Sequence, residues 1–241
     1  PNRVDATLDN PSVENQDGSI AWNAPFLQLL SLVYNPSHVI VIWPQTQTFI
    51  TPYGTVALRK EDLRASVVFD GDDASSLNRF SLVGQDMEAR TDRGSWDAAE
   101  LRLAAERLPG AVSDYRVALA TADMTVDLPL IGAGSLPNRI EKLDVDTRIS
   151  FEHAWDAKSL LFDRPKPTSL EIVAADIEWG PATLTATGLL ELDETGTPEG
   201  EIDFSLKNWE EMIGDIANSG AMSHQQAESM RMMIGMMASS S

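Results

Sequence analysis

Apolar and polar residues alternate one by one along much of this chain, and this period of two constrains the fold more than any other feature. Successive side chains of a β-strand point to opposite faces of a sheet, so alternation predicts strands with one apolar face. One-sided alternation is typical of antiparallel sheets. We therefore predict a mainly β fold, a β-rich α+β chain built on a curved, mostly antiparallel sheet or half-barrel. The clearest alternating runs are 4–8, 63–69, 115–119, 124–128, 143–151, 184–192 and 202–206.

Three further segments refine this prediction. The polar, Gly- and Pro-containing residues 193–200 separate two alternating runs and predict a hairpin turn. Residues 39–43, Val-Ile-Val-Ile-Trp, are apolar throughout, which predicts a strand buried on both faces or covered by a helix. Residues 97–107 have a helical composition, yet Leu-Arg-Leu at 101–103 alternates, so we interpret this segment as a strand among strands.

Two helices are predicted at the C-terminal end, where the period changes. Asn208 is a residue type that caps helix N-termini, and the first helix is expected to end near Gly220. Ser223, with Gln226 three residues later, forms a capping-box pattern for the second helix. The residues on one face of that second helix are Ala227, Met230, Ile234 and Met237. We therefore predict a helical hairpin over residues 208–238.

The chain is predicted to form one domain over residues 1–241, because no linker, repeat or low-complexity tract divides it. An alternating strand pattern follows directly after Pro1, with no initiator methionine or signal sequence before it. We therefore expect this chain to be a fragment of a longer, membrane-anchored protein. Within it, no segment approaches the roughly 18 apolar residues that a membrane-spanning helix needs.

The acidic balance of the chain excludes one class of partner. The formal net charge is −19 and the isoelectric point is near 4.3. Such a surface repels phosphate backbones, so nucleic-acid binding is not expected, and it also disfavours anionic lipid headgroups. The chain has no cysteine, which excludes disulfides, thiolate metal sites and cysteine nucleophiles. A lack of cysteine fits the oxidising periplasm, although many cytosolic proteins share it.

No pattern in the sequence is typical of an active site. The three histidines, His38, His153 and His224, fall in a predicted loop, strand and helix start, and none has a second ligand at zinc-motif spacing. The glycine-rich residues 131–135 match no nucleophile or phosphate motif and favour a turn. Residues 171–203 carry nine acidic and no basic residues. Calcium is conceivable there, but outward strand positions favour a solvated face. We predict no enzyme activity, metal or cofactor.

Seven of the nine methionines lie after residue 208, and they make the C-terminal helices apolar over a wide arc. Methionine is flexible and polarizable, so it suits surfaces that accept irregular apolar partners. Two interpretations stay open: the methionines pack the helices against the sheet, or they border a groove for an acyl chain or a partner helix. The candidate ligand-binding residues are Trp209, Met212, Ile213, Met230, Met233, Ile234 and Met237.

An ordered set of short motifs runs along nearly the whole chain. The set comprises Trp-Asn-Ala-Pro-Phe (22–26), Tyr-Asn-Pro-Ser-His-Val-Ile (34–40), Leu-Arg-Ala-Ser (63–66), Leu-Pro-Asn-Arg-Ile (136–140), Glu-Trp-Gly-Pro (178–181), Ala-Thr-Gly-Leu-Leu-Glu-Leu-Asp (186–193) and Gly-Thr-Pro-Glu-Gly (196–200). It resembles the Gram-negative envelope proteins grouped as domain-of-unknown-function family 2125. The resemblance implies an anchor in the inner membrane followed by a periplasmic β-rich domain, and it implies no activity. A looser likeness to AsmA-like envelope proteins, whose grooves carry lipids, is one of fold alone.

Two functions are compatible with these features. The first is a non-catalytic periplasmic envelope protein that binds lipid or another hydrophobic ligand in an apolar groove. The alternative is a structural or interaction domain that docks an envelope protein through the Met-rich C-terminal helix. A lipid that copurifies with the chain would distinguish the first function from the second.

Overall fold

The computed structural model describes residues 2–15, 17–70, 76–127, 138–156, 159, 164–218 and 222–238. These residues form one curved, unclosed sheet of fifteen strands, followed by two helices. Every described strand pair is antiparallel. Strands account for 66% of the chain and helices for 11%, which confirms the predicted mainly β fold.

The elements have the following bounds. The strands of the first half are β1 (Arg3–Asp9), β2 (Ser12–Glu14), β3 (Ala21–Asn23), β4 (Phe26–Leu32), β5 (Asn35–Ile42), β6 (Thr46–Thr51), β7 (Gly54–Arg59) and β8 (Asp62–Phe69). The longer strands of the second half are β9 (Leu77–Thr91), β10 (Gly94–Arg107), β11 (Asp114–Asp127), β12 (Arg139–Phe151), β13 (Pro167–Trp179), β14 (Ala182–Leu192) and β15 (Pro198–Lys207). The helices are α1 (Trp209–Asn218) and α2 (His224–Ala238). Residues 97–107 thus form a strand, as predicted.

The sheet has one long path and one short arm. The path runs in the order β1-β4-β5-β8-β9-β10-β11-β12-β13-β14-β15, and the arm β2-β3-β6-β7 joins it at β9. Strand β9 is long enough to serve both, because it pairs with β8 from Leu77 to Gln85 and with β7 from Glu88 to Arg90. From β9 onward each strand pairs with the next in the chain, so the second half is a meander.

A line of strand interruptions, which we call the crease, crosses the first half of the sheet. Strands β1 and β2, β3 and β4, β5 and β6, and β7 and β8 are each separated by two or three residues. The interruptions lie side by side: Asn10 N–H donates to Pro25 O at 2.9 Å, and Lys60 N–H donates to Gln45 O at 3.0 Å. A proline stands in three of the four interruptions, where its missing N–H breaks the ladder.

The crease continues into the second half as left-handed backbone at Asp86 (φ 47°) and Asp123 (φ 51°). Both residues lie beside Ala99 of β10. Ala99 has no paired residue in the β9–β10 ladder or in the β10–β11 ladder. In a regular strand, Gly84 and Met87 would point to opposite faces. Here a Cβ on Gly84 would lie 2.7 Å from Met87 Sδ. The left-handed Asp86 between them therefore places Gly84 and Met87 on the same face of the sheet.

The main buried cluster lies at the crease. Leu63, Met87 and Ala98 are buried, and apolar side chains from the path and the arm pack on them. The packed side chains are Trp43, Leu58, Leu82, Trp96, Leu101 and Met124. The crease therefore brings the two parts of the sheet together around one small core.

The apolar segment 39–43 corrects the prediction. Its first four residues lie in β5 between β4 and β8, where they are half-buried rather than fully buried, and neither described helix packs on them. Both faces of β5 instead receive apolar neighbours from β4, since Leu30 lies beside Ile40 and Leu29 beside Val41. The predicted two-sided burial or helix cover is therefore wrong.

The predicted hairpin turn joins β14 to β15. Asp193 Oδ1 accepts hydrogen bonds from the Thr195 hydroxyl at 2.6 Å, Thr195 N–H at 2.8 Å and Thr197 N–H at 2.9 Å. These bonds hold the pKa of Asp193 below its ordinary value, and the bond from the Thr195 hydroxyl has the largest effect. Gly196 supplies the left-handed residue of the turn, with φ 81°. A turn fixed in this way sets the register of β15 on β14.

The two helices pack on each other, and α1 also lies against β14. Helix α2 begins with the predicted capping box, in which Gln226 N–H donates to Ser223 Oγ at 3.2 Å and Ser223 N–H donates to Gln226 Oε1 at 3.0 Å. Neither of the two described helices has the length and apolar character of a membrane span.

Helix α1 begins directly after Asn208, as predicted, but the backbone conformation of that residue is unusual. Asn208 precedes it in left-handed backbone (φ 57°), not in the extended conformation of an ordinary N-cap. Its carbonyl accepts a helical bond from Met212 N–H at 3.3 Å. The predicted helix end near Gly220 and the predicted turn at 131–135 lie outside the described residues.

Candidate ligand-binding groove

One row of apolar side chains crosses all eleven strands of the path without interruption. Directly opposed residues of neighbouring strands share a face of the sheet. The pairings link one apolar residue from each of the eleven strands of the path, and we call this set the central row. Its members, from β1 to β15, are Ala6, Leu29, Val41, Ala65, Leu82, Leu103, Leu119, Val145, Ala175, Ala186 and Phe204. We call the face that carries it the inner face.

The rows on either side of the central row contain no charged residue. One flanking row, from β8 to β15, consists of Leu63, Gly84, Leu101, Thr121, Leu143, Ile177, Leu184 and Leu206. The other, from β1 to β15, consists of Val4, Ser31, Val39, Val67, Phe80, Ala105, Val117, Thr147, Ile172, Gly188 and Ile202. Three hydroxyls are the polar groups of these rows, and that of Thr147 donates to Val117 O at 3.0 Å.

The opposite, outer face carries ion pairs between neighbouring strands. Arg116 of β11 pairs with Asp146 of β12 at 2.6 Å, and Arg148 of β12 pairs with Glu171 of β13 at 3.0 Å. The hydrogen bond from Arg116 holds the pKa of Asp146 below its ordinary value. Exposed pairs of this kind contribute little to stability. Their importance here is that they place charge on the outer face, whereas the three inner rows carry none.

No second layer covers the inner face within the described residues. The accessible surface of the chain is 15242 Å². A compact monomer of the same mass, 26.3 kDa, exposes roughly 10,600 Å². The excess of roughly 4,600 Å² fits a sheet whose apolar face has no layer packed on it.

The inner face is nevertheless the more shielded of the two. Most members of the central row are half-buried, whereas the outer residues Arg64, Arg102 and Arg116 are exposed. Shielding of one face without a covering layer is the property of the concave side of a curved sheet, where neighbouring side chains converge. We therefore interpret the inner face as the concave side of the curved sheet, and we call it the groove. Ten strand spacings of about 4.8 Å give it a length of about 48 Å.

Four of the seven predicted ligand-binding residues lie in a core that the two helices form between them. Ile213 is 1% exposed and packs with Ala217 and Ala227. The apolar side chains that pack on this core are Trp209, Met222, Met230 and Ile234. The structure therefore brings four of the predicted residues together between α1 and α2, at the β14 end of the groove. Their role in ligand binding stays a prediction.

The other predicted methionines lie on different sides of the hairpin. Met212 is half-buried in α1. Met233 is 53% exposed, and Met232 and Met236 beside it are 63% and 67% exposed. Met237 lies within α2, and its side chain is outside the described residues. Helix α2 thus presents a methionine surface, formed by Met232, Met233 and Met236, in addition to its packed face.

Charged groups gather at the crease around an open pocket of about 790 Å³. A hydrogen bond between the carboxyl groups of Glu61 and Asp86 raises the pKa of Glu61. Lys60 is 4% exposed, its Nζ donates to Trp43 O at 3.0 Å, and burial lowers its pKa. Arg59 and other polar residues complete the lining. This pocket suits polar ligands, unlike the groove.

The histidines are dispersed. His38 lies in β5 rather than in the predicted loop, with its Nε2 2.8 Å from Ser66 Oγ. His153 follows β12 instead of lying within it, and its Nδ1 is 3.1 Å from Ala154 O. His224 begins α2, as predicted. Among the residues that the structure describes, no three His, Asp or Glu side chains converge in a group that could hold a metal ion.

The sequence predicts an apolar groove where the helices leave the sheet uncovered, but the candidate residues that it named all lie on the helices, and none lies on the sheet. The signal was present, because Leu103, Leu119 and Val145 occupy apolar positions of alternating segments. What no local pattern supplies is the register that aligns these positions across strands.

A model of one protein family matches residues 1–241, and its description is "Uncharacterized protein conserved in bacteria (DUF2125)". No curated protein and no solved structure matches the chain. The geometry of the sheet therefore carries the functional argument.

Proposed function

The chain belongs to the DUF2125 family, and we propose that it is a non-catalytic envelope protein that binds acyl chains, or hydrophobic ligands of similar shape, on the inner face of its sheet. We propose a periplasmic location, with an anchor in the inner membrane, on the resemblance to Gram-negative envelope proteins. The observation that carries the binding proposal is the central row, which crosses eleven strands without a polar residue.

The energetics favour an apolar ligand on this face. Apolar area in contact with water is unfavourable by roughly 25 cal/mol per Å². Each methylene of a ligand that becomes buried on the groove contributes about 0.8 kcal/mol. Because the three inner rows contain no charge, a bound acyl chain desolvates almost no polar group, and the usual cost of burying one is avoided.

A second candidate function is the docking of an envelope protein through α2. The methionine surface, Met232, Met233 and Met236, favours it, because these side chains are at least 53% exposed on a helix whose other face packs on α1. Exposed methionines adapt to apolar partners of irregular shape. This surface and the groove make separate predictions, since they occupy different elements.

Two neighbouring substitutions in β10 test the groove. Leu103→Asp introduces a carboxylate into the central row, whereas the matched control Ala104→Asp introduces it at an exposed position of the outer face. We expect Leu103→Asp to lose binding of a fluorescent fatty acid and to lose copurifying lipid in native mass spectrometry, while Ala104→Asp retains both. Val145→Trp, which fills the groove without adding charge, should weaken binding as well.

Circular dichroism establishes that each variant keeps its sheet. Equal binding of the fatty acid by Leu103→Asp, Val145→Trp and Ala104→Asp would refute the groove as the binding surface. If binding is then lost in Met233→Asp alone, the methionine surface of α2 is the binding site for the fatty acid.

A further inference from the structure

Strand β15 ends the sheet, and no described element pairs with its free edge. Its register on β14 is continuous from Pro198 to Lys207, with no bulge. All of its residues except Ile202 are exposed. Such an edge presents unpaired N–H and C=O groups that are able to pair with a further strand.

The outer side of this edge carries uncompensated negative charge. Glu199, Glu201 and Asp203 occupy every second position of β15, and Glu191 of β14 lies directly opposite Glu199. Like charges in directly opposed positions destabilise a sheet. The sequence has no lysine or arginine between residues 167 and 206, so the neighbouring chain supplies no cation to these carboxylates.

The inner side of the same edge carries exposed apolar side chains. Phe204 is 67% exposed and Leu206 is 37% exposed. Phe204 is the last member of the central row, and its side chain has an apolar neighbour on β14 but none beyond the edge. An added strand with apolar residues on its inner side would cover Phe204 and lengthen the groove.

We propose that β15 accepts an additional strand from another protein, a strand in which lysine or arginine alternates with apolar residues. The backbone of the partner pairs with the free edge, its basic side chains face the carboxylates, and its apolar side chains pack beside Phe204. A second copy of this chain lacks that chemistry. Pairing β15 with β15 opposes acid to acid, and β1, at the other end of the path, presents Asp5 and Asp9 beside a single cation, Arg3.

The test uses the unmodified chain and three labelled peptides of equal composition in lysine and valine. In the first peptide the two residues alternate, in the second they form two blocks, and the third is the alternating peptide with every second backbone nitrogen methylated. We expect the alternating peptide to bind in fluorescence anisotropy and to slow amide exchange in β15. The blocked and methylated peptides should bind at least about fivefold more weakly, because cross-strand pairs or backbone bonds are lost.

Two variants of the chain localise the site. Glu201→Lys should weaken binding of the alternating peptide by at least about fivefold, whereas Glu228→Lys, on α2, should leave it unchanged. Equal binding of the methylated peptide would overturn strand addition in favour of charge attraction alone. The proposal is also overturned if no peptide binds, or if sedimentation shows a dimer of the chain that Glu201→Lys dissociates. The peptide comparison decides the matter even if Glu201→Lys unfolds the hairpin.

Discussion

Replacing Gly188 by alanine should loosen the last hairpin of the sheet. Gly188 of β14 lies opposite Ile202 of β15, and the two strands approach each other closely there. A Cβ at this position would overlap the carbonyl oxygen of Glu201 and lie 2.7 Å from Ile202 Cα, against an ordinary contact distance of 3.4 Å or more. The strands must therefore separate by more than half an ångström to accept a methyl group.

The size of the effect follows from the kind of atoms that clash. Overpacking costs about 1–3 kcal/mol, and the upper part of that range applies because backbone atoms cannot rotate away as a side chain does. Alanine gives the unfolded chain less conformational entropy than glycine, and this offsets only about 0.4–1 kcal/mol of the destabilisation. We therefore expect Gly188→Ala to lower the free energy of unfolding by about 1–2 kcal/mol, with the loss confined mainly to β14 and β15.

Hydrogen exchange followed by mass spectrometry measures this loss by location. Amides of β14 and β15 should exchange faster in Gly188→Ala, while those of β9 to β12 should not. The matched control is Gly235→Ala in α2, where a Cβ meets nothing within 4 Å and where alanine is more favourable than glycine by roughly 0.5–1 kcal/mol. Unchanged exchange in β14 and β15 of Gly188→Ala would refute the close approach of these strands.

Two further predictions concern hydrogen bonds at the start of β9. Tyr115 is 1% exposed and its hydroxyl donates to Leu77 O at 3.1 Å. Tyr115→Phe removes this buried hydrogen bond and should lower the free energy of unfolding in urea by about 1–2 kcal/mol. Asp70 accepts hydrogen bonds from Asn78 at 2.8 Å and from Arg107, which lower its pKa below the ordinary value of 3.8. The stabilisation that Asp70 contributes is therefore fully present above pH 3.8, its ordinary pKa, and is lost as the pH falls through its lower folded-state pKa. Asp70→Asn should therefore be less stable than the unmodified chain at neutral pH and equal to it in strong acid, and a stability difference that persists in strong acid would contradict the assignment.

The strands could be predicted because the alternation of side chains is a local property. The crease could not, because it shifts the phase of that alternation. Residues 115–119 and 124–128 were predicted as separate runs, yet residues 115–127 form a single strand, β11. The left-handed Asp123 shifts the alternation by one residue. The apolar positions have odd numbers up to Leu119 and even numbers from Met124 onward. A phase shift of this kind has the same sequence pattern as a turn between two strands.

The candidate site was harder to predict than the fold because it depends on which part of the sheet's apolar face stays without a covering element. An apolar helix face indicates that a helix packs, but not on which partner. Ile213 was predicted to cover the sheet or to border a ligand, and the structure packs it with Ala217 and Ala227 of the hairpin. Likewise, the alternating runs predict an apolar sheet face, but whether a second layer covers that face is a property of the whole chain.

The groove and the free edge pose one physical problem, which is how a sheet with an open apolar face avoids pairing with itself. Full closure into a barrel would remove the edges, but it would also enclose the inner face. This chain instead keeps charge out of the three inner rows and places it on the edge: three carboxylates line β15, and the net charge is −19. Charge on an edge strand opposes unspecific strand pairing, and it opposes self-association most strongly because both partners are acidic.

The same charge therefore selects the partner as well as excluding the wrong one. A cationic, alternating strand is attracted by Glu199, Glu201 and Asp203, and on binding it would place its own apolar residues beside Phe204. Binding at the edge would then add one strand spacing, about 4.8 Å, to a groove of the same character. An acyl chain on the inner face and a strand at the edge would cover adjacent parts of one apolar surface. If both proposals hold, each ligand should raise the affinity for the other, because contact between the two buries apolar area that neither covers alone.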